Sequence, residues 1–271
     1  MKHYRVKPDK RVNLDDYDAH DTGGYKHEEE VADRTEKLRQ KLDALQERLY
    51  AEGSRAVLIV LQGIDTGGKD GTIRHVMSGV NPQGCIVTSF KTPTLPEKAH
   101  DFLWRIQAAC PPYGFIGIFN RSHYEDVLIT RVHKSITDKE AKHRLSQIRD
   151  FEKMLSNNRT RILKFFLHIS KDEQKKRLLA RLDDPDKHWK FSAQDLKERG
   201  YWKAYRKAFE EALSATSTEE SPWFVVPANH KWYRNLVVAD CLVAALEDMN
   251  PRPPKAHGID WKKLREEVSA S

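Results

Sequence analysis

The chain has 271 residues, 39% of them hydrophobic and 32% charged, with 47 Lys and Arg against 40 Asp and Glu for a net charge of +7. This is a soluble globular composition with ample material for a core, and it excludes the marginal stability of a very small domain. No apolar run approaches the roughly 18 residues that span a bilayer, and the start Met1-Lys2-His3-Tyr4-Arg5 lacks the apolar stretch of a secretory signal, so a cytoplasmic protein with no membrane partner is expected.

Residues 1–27 are polar and aperiodic and read as an extended N-terminal arm. From Glu28 to Ala51, Leu38, Leu42, Leu45 and Leu49 recur at the spacing of an amphipathic helix, which Gly53 ends. Ala56 to Leu61 is a short, β-rich apolar run between glycines, the pattern of a strand buried on both faces. Similar runs follow at 85–87, 115–119, 162–167 and 223–226, separated by helical stretches at about 70–79, 96–109, 138–157, 171–182, 192–213 and 231–247. Strands alternating with helices imply a parallel sheet covered on both faces, an α/β fold in one domain over 28–250. Asn250-Pro251-Arg252-Pro253-Pro254 breaks the last core helix and leaves a tail over 251–271 with room for one more helix after Ile259. Cys85, Cys110 and Cys241 form no CxxC pair and read as reduced core residues.

The first strand runs into Gly63-Ile64-Asp65-Thr66-Gly67-Gly68-Lys69-Asp70-Gly71-Thr72 and then a helix. Gly63, four residues, then Gly68-Lys69 is a phosphate-binding loop pattern, in which glycines let backbone N–H groups close around a phosphate and the helix N-terminus adds its dipole. Gly63, Gly67, Gly68 and Gly71, with Lys69, Thr72 and Arg74, are therefore candidate phosphate ligands. Asp70 stands where the general motif has a Mg²⁺-binding Ser or Thr, and Asp65 is the obvious substitute, since a carboxylate among phosphates calls for a cation between them. The competing reading is an ordinary glycine-rich turn.

At the end of the third strand lies Asn120-Arg121-Ser122-His123-Tyr124-Glu125-Asp126. Ligands of open α/β sheets bind at the carboxyl ends of strands, so this cluster should face the loop. Arg121 offers a fork of donors for phosphate oxygens, while Glu125 and Asp126 offer oxygens to Mg²⁺ or a nucleotide. A surface Arg–Glu pair is the plainer alternative.

The two motifs, with Lys91-Thr92-Pro93-Thr94 and the stretch from Asp184 to Ser192, resemble the polyphosphate kinase 2 family over about residues 20–250. The resemblance implies a P-loop kinase-like three-layer fold with a five-stranded parallel sheet and a helical lid at about 127–158. The loop would be the Walker A element and Asn120 to Asp126 the Walker B element. Some members carry Asp at the position of Asn120 and Asn at that of Glu125; the version here is similar to the subgroup acting on both AMP and ADP. It implies transfer of the terminal phosphoryl group of inorganic polyphosphate to AMP or ADP, giving ADP or ATP, directly and with Mg²⁺. Catalysis would fall to Asp65, Lys69, Arg121, Glu125 and Asp126, with Asp65 and Asp126 on the metal. Lys91, Asn120, His123, Arg131, Arg177, Arg181, Lys187 and Lys190 would contact phosphate or nucleotide, and Trp189 would anchor its loop on the core.

The charge fits this expectation: residues 121–200 hold 20 Lys and Arg against 13 Asp and Glu, which is the whole excess. A groove of such residues would bind a linear polyphosphate by charge, with strong salt dependence. Nucleic acid is not the expected partner, because aromatic interleaving and recognition-helix signatures are missing from the basic stretch. Two alternatives stand: an ATP-dependent nucleoside monophosphate kinase, and a non-catalytic P-loop module that binds nucleic acid. A phosphohistidine on His123 is a further route. Apolar surface on the first helix and the Trp-rich later helices leaves room for a homo-oligomer, a dimer or tetramer.

Overall fold

The computed structural model describes residues 2–191, 193–255 and 258–271. Its sheet is built from β1 (Ala56–Gln62), β2 (Cys85–Ser89), β3 (Ile116–Asn120), β4 (Thr160–His168) and β5 (Trp223–Pro227), in the order β2-β3-β1-β4-β5 with every pairing parallel. β1 is buried along its whole length at the centre. Its side chains alternate between layers, as the pleat requires: Val57, Ile59 and Leu61 pack in one core, Leu58 and Val60 in the other.

The helices are α1 (Ala32–Glu52), α2 (Lys69–Val76), α3 (Leu95–Lys98), α4 (Trp104–Ala108), α5 (Glu125–Val132), α6 (Asp138–Asn157), α7 (Lys171–Leu182), α8 (Ala193–Gly200), α9 (Trp202–Thr216), α10 (Lys231–Met249) and α11 (Trp261–Ala270). α1 and α10 cover one face of the sheet, with Leu42, Leu49, Leu242 and Leu246 fully buried. α5, α6 and α9 cover the other through Val127, Leu145, Ile148, Phe209 and Leu213. This is the expected three-layer α/β fold, and α11 supplies the expected helix of the tail.

Two expected helices are broken. The stretch 96–109 splits into α3 and α4, and between them the Asp101 carboxylate accepts the N–H of Leu103 at 2.9 Å, a local turn that competes with the helix. The stretch 192–213 splits after Gly200 into α8 and α9. The arm is also less free than its polarity predicts: Tyr4, Val6, Val12 and Leu14 are buried, and Val6 N–H donates to the Trp223 carbonyl beside β5. Four apolar side chains scattered among charges carry no periodic signal, yet they suffice to dock the segment. The expected lid segment, 127–158, contains α6, which buries Ala141, Leu145, Ile148, Phe151 and Leu155 in the core. Leu128 and Ile129 of that segment line the smaller of two hollows beside the glycine loop, while α8 lines both and the turn before it lines the larger.

Candidate active site

The loop after β1 is shaped by two residues with positive φ, Thr66 at 66° and Gly68 at 100°. Gly68 has a second constraint, because a Cβ there would stand 2.0 Å from Nη1 of Arg234. The first turn of α2 then opens: Thr72 N–H and Oγ1 both donate to the Gly68 carbonyl, at 2.9 and 3.1 Å. Lys69 is buried and donates to the Gly63 carbonyl at 2.9 Å, so its ammonium lies folded inside the loop. Burial and the charge of Arg121 push its pKa down, against the pull of Asp65, Glu125 and Asp70.

Arg121 follows β3 with φ of 63°, a conformation costly for a residue with a Cβ and fixed here by its N–H donating to the Leu61 carbonyl at 3.1 Å. Its Nη2 then reaches Asp65 Oδ1 at 3.0 Å, and this ion pair joins the two motifs. Asn120 makes a second link by donating to Asp70 Oδ1 at 2.7 Å, which gives the aspartate after the lysine a structural task in this chain. With its amide turned so that the oxygen faces Ser122, Gln62 donates to Glu125 Oε1 at 2.9 Å. Burial raises the Glu125 pKa, while Arg121 and Lys69 oppose the rise.

Two hollows meet at this ion pair. The smaller, of about 270 Å³, is lined by Gly63, Ile64, Glu125, Leu128, Ile129, Gln174, Gln194, Glu198, Tyr205 and Phe209. The larger, of about 520 Å³, is lined by the loop from Thr66 to Gly71 with Lys91, Asn120, Arg181 and Trp189. Asp65, Arg121 and Asp195 line both. The Asp65–Arg121 pair thus stands on the boundary between the two hollows.

Asp65, Lys69, Arg121, Glu125, Gly63, Gly67, Gly68, Gly71, Lys91, Asn120 and Arg181 are thus gathered around the hollows, and other expected residues are not. Asp126 pairs with Arg105 at 3.3 Å and lines neither hollow; burial raises its pKa against that partner. His123 is fully buried in the core and meets Glu152 Oε1 at 3.2 Å through Nε2. Arg131 pairs with Asp138 at 2.8 Å and with Glu211, between α5, α6 and α9. Arg74 is exposed in the last turn of α2, and Lys187 is exposed and pairs with Asp184. Trp189 is 78% exposed over the larger hollow rather than anchored on the core. The Lys190 side chain and Ser192 lie outside the described residues.

Arg177 is close to the loop, yet it spends its donors on protein. Nε donates to Glu173 at 2.7 Å, Nη1 to the Thr66 and Gly67 carbonyls at 2.9 and 3.2 Å, and Nη2 to the Ala228 and Asn229 carbonyls at 2.5 and 3.2 Å. A guanidinium has five N–H donors, so none is left for a phosphate oxygen.

Sequence reasoning missed the far wall of the smaller hollow. Gln174 donates to the Asp65 carbonyl at 3.2 Å, and Tyr205 to Glu198 at 2.7 Å, where His133 also meets the carboxylate at 3.0 Å. Tyr205 and Phe209, four apart on α9, carry only a core-helix signal. It also missed the buried base of the β3 turn, where Glu152 Oε2 accepts from Lys164 at 2.5 Å and Oε1 from Tyr124 at 2.8 Å. Both ends of that ion pair are fully buried, and Lys164 also reaches the Thr216 carbonyl at 2.7 Å.

Among the described residues no cluster of three or more His, Cys, Asp or Glu side chains makes a self-sufficient metal site. Asp65 and Glu125, lining one hollow beside the phosphate loop, still fit a cation that takes one or two protein carboxylates and completes its shell with phosphate oxygens and water.

A parallel sheet with a glycine loop, a buried loop lysine and an arginine–aspartate pair at its carboxyl edge defines a P-loop phosphotransferase. The family model of polyphosphate kinase 2 matches residues 25–254, and the chain belongs to that family. It is 50% identical to an AMP/ADP-polyphosphate phosphotransferase of Meiothermus ruber, covering 94% of this chain and 96% of that one. It is 46% identical to an ADP-polyphosphate phosphotransferase of Rhodopseudomonas palustris, covering 97% and 95%. The crystal structure of polyphosphate kinase 2 from Arthrobacter aurescens superimposes with a TM-score of 0.95 at 45% identity, over 100% of this chain and 96% of that one.

Proposed function

We propose that this kinase transfers the terminal phosphoryl group of inorganic polyphosphate to AMP and to ADP, with polyphosphate along the larger hollow and the nucleotide in the smaller. What carries the reading is the pair of hollows sharing Asp65 and Arg121. The larger joins the loop's backbone to Lys69, Lys91, Arg121 and Arg181, cations that suit a phosphate polymer, beside the carboxylates of Asp65, Asp70 and Asp195. The smaller adds Ile64, Leu128, Ile129 and Phe209, apolar surface for a base and sugar.

The acceptor is a nucleotide's terminal phosphate, ionised near neutral pH, so no strong general base is needed. Lys69 and Arg121 neutralise the oxygens of the transferred group, and Asp65 orients Arg121. Asp65 and Glu125 would hold Mg²⁺, which supplies further charge neutralisation when bound. Glu125, rather than Asp126, lines the hollow. The segment 183–201, whose Trp189, Gln194, Asp195 and Glu198 line the hollows, is the better candidate for a closing lid than 127–158. Three thiols without disulfide partners suit the reducing cytoplasm, and exposed Ile86 and Val87 on the edge strand β2 suit a homo-oligomer.

The test is a panel of AMP, ADP, GMP and GDP, each with long-chain polyphosphate and Mg²⁺, beside AMP with ATP as donor. Product from AMP and ADP with polyphosphate is expected. Phosphorylation of AMP by ATP alone would instead identify a nucleoside monophosphate kinase.

A further inference from the structure

The phosphate loop rests on two guanidiniums, one buried and one nearly so, and among the described residues only one is paired with a carboxylate. Arg177 is paired with Glu173 at 2.7 Å. Arg234, in the first turn of α10, is 3% exposed and gives Nε and Nη2 to Asn235 Oδ1 at 3.1 and 2.8 Å. Among the described residues no carboxylate pairs with it, and Nη1 makes no hydrogen bond; instead it lies against Gly68. A Cβ on Gly68 would stand 2.0 Å from Nη1 of Arg234 and 3.5 Å from Nη1 of Arg177, and one on Gly71 would stand 3.5 Å from Nη2 of Arg234. Two like charges therefore converge behind the glycines of the loop. Their effect is visible on their neighbours: burial, then the charges of Arg177 and Arg234, push the pKa of Lys231 down, and burial with Arg177 brings that of Arg234 to about 10.

A buried cation without an anionic partner is costly, and a second cation beside it adds to the cost. Packing alone gives no reason to place a guanidinium there, since Met would fill similar space without charge. Electrostatics gives one, because Gly68 and Gly71 line the larger hollow while Arg234 stands behind them and is not part of its lining. The backbone of the loop would then stand between the guanidinium and a phosphate in that hollow, so the charge would act through one layer of peptide groups.

We propose that Arg234 is a positioning residue for the donor phosphates, holding behind Gly68 a fixed positive charge that is uncompensated in the resting protein and is balanced when phosphate enters the loop. The proposal rests on the reading of this loop as the polyphosphate site. It makes part of the donor affinity a relief of strain already present in the free protein, so binding and thermal stability are linked. It also assigns Gly68 two duties: a backbone conformation with φ of 100° and the empty space that admits Nη1.

The experiment compares Arg234→Met, Arg234→Gln and Arg234→Lys with the unaltered protein, using tripolyphosphate as the probe. Melting is measured with and without it, and KM is measured for polyphosphate and for ADP. For Met and Gln the expected results are a ligand-free melting temperature at or above that of the unaltered protein and less than half of the probe-induced rise. KM for polyphosphate should increase at least tenfold, with KM for ADP changed less than twofold. Lys should restore most of the rise and of the polyphosphate KM. If Met does not fold, Gln against Lys makes the same comparison. Neutral variants that melt lower but keep the full rise and both KM values would overturn the proposal and leave Arg234 a packing residue. Absence of any rise in the unaltered protein would refute the loop reading itself, and the proposal with it.

Discussion

The two hollows that share Asp65 and Arg121 are built in opposite ways. The larger, proposed for polyphosphate, draws nearly half of its lining from one run, Asp65 to Gly71, and adds Ser89 to Lys91, Asn120, Arg181 and Trp189. The nucleotide side is assembled from the β1 loop, α5, α7, α8 and α9, each contributing a few side chains. A polymer with one repeating charge can be held by contiguous backbone and a few cations. A nucleoside, with different faces to recognise, needs side chains brought from separate elements. The difference teaches where specificity can change without loss of chemistry: on the assembled side.

The largest effect should come at the seam. Lys69→Ala and Asp65→Asn should each lower kcat by at least about 10³-fold with the far-ultraviolet spectrum unchanged, since both act on charge in the transition state. Near-normal turnover in either variant would remove the seam from the mechanism.

Next come the supports of the β3 turn that carries Arg121. Glu152→Ala leaves Lys164 buried with no carboxylate partner, and losses of this kind run to about 3–5 kcal/mol. Denaturant unfolding should show that loss; a change below about 1 kcal/mol would mean the pair does not hold the turn.

His168 tests whether the fold itself, independent of either hollow, responds to acid. Burial, then the charge of Arg206, pushes its pKa from 6.5 to about 4. Between those values the unfolded chain takes up a proton that the folded one refuses, so stability falls as pH falls through the window. The loss should reach about 3 kcal/mol below both values. His168→Gln should flatten that slope, and an unchanged slope would assign it elsewhere.

The smallest effects should separate the two sides. Phe209→Ala should raise KM for ADP about tenfold and leave that for polyphosphate within twofold. Arg181→Ala should do the reverse by about threefold, more at low salt than at high, as expected of a partly exposed charge. Parallel changes in both constants would mean that the hollows do not divide the substrates.

The same contrast explains what the sequence disclosed. The five strands and most long helices were legible because their apolar runs are continuous or periodic, and the phosphate loop because its ligands are adjacent. Asp65, Lys69, Arg121 and Glu125 were legible as two motifs at strand ends, where topology alone brings them together. Gln174, Tyr205 and Phe209 were not, since a residue that faces a cavity and one that faces the core repeat at the same helical period. His123 and Arg131 looked like ligands by charge and proximity in sequence. The structure gives His123, which the turn after Arg121 directs inward, to Glu152, and Arg131, in the last turn of α5, to Asp138 of α6 and Glu211 of α9. Arg234 was hidden for a different reason: its value lies in having no carboxylate, and no sequence pattern records a missing partner.

The most direct test of two hollows sharing one ion pair is initial-rate kinetics, with ADP varied at several fixed concentrations of polyphosphate. Direct transfer between substrates bound together predicts lines that intersect in the double-reciprocal plot. Parallel lines would signal a phosphorylated enzyme that releases one substrate before binding the next, and would contradict the account.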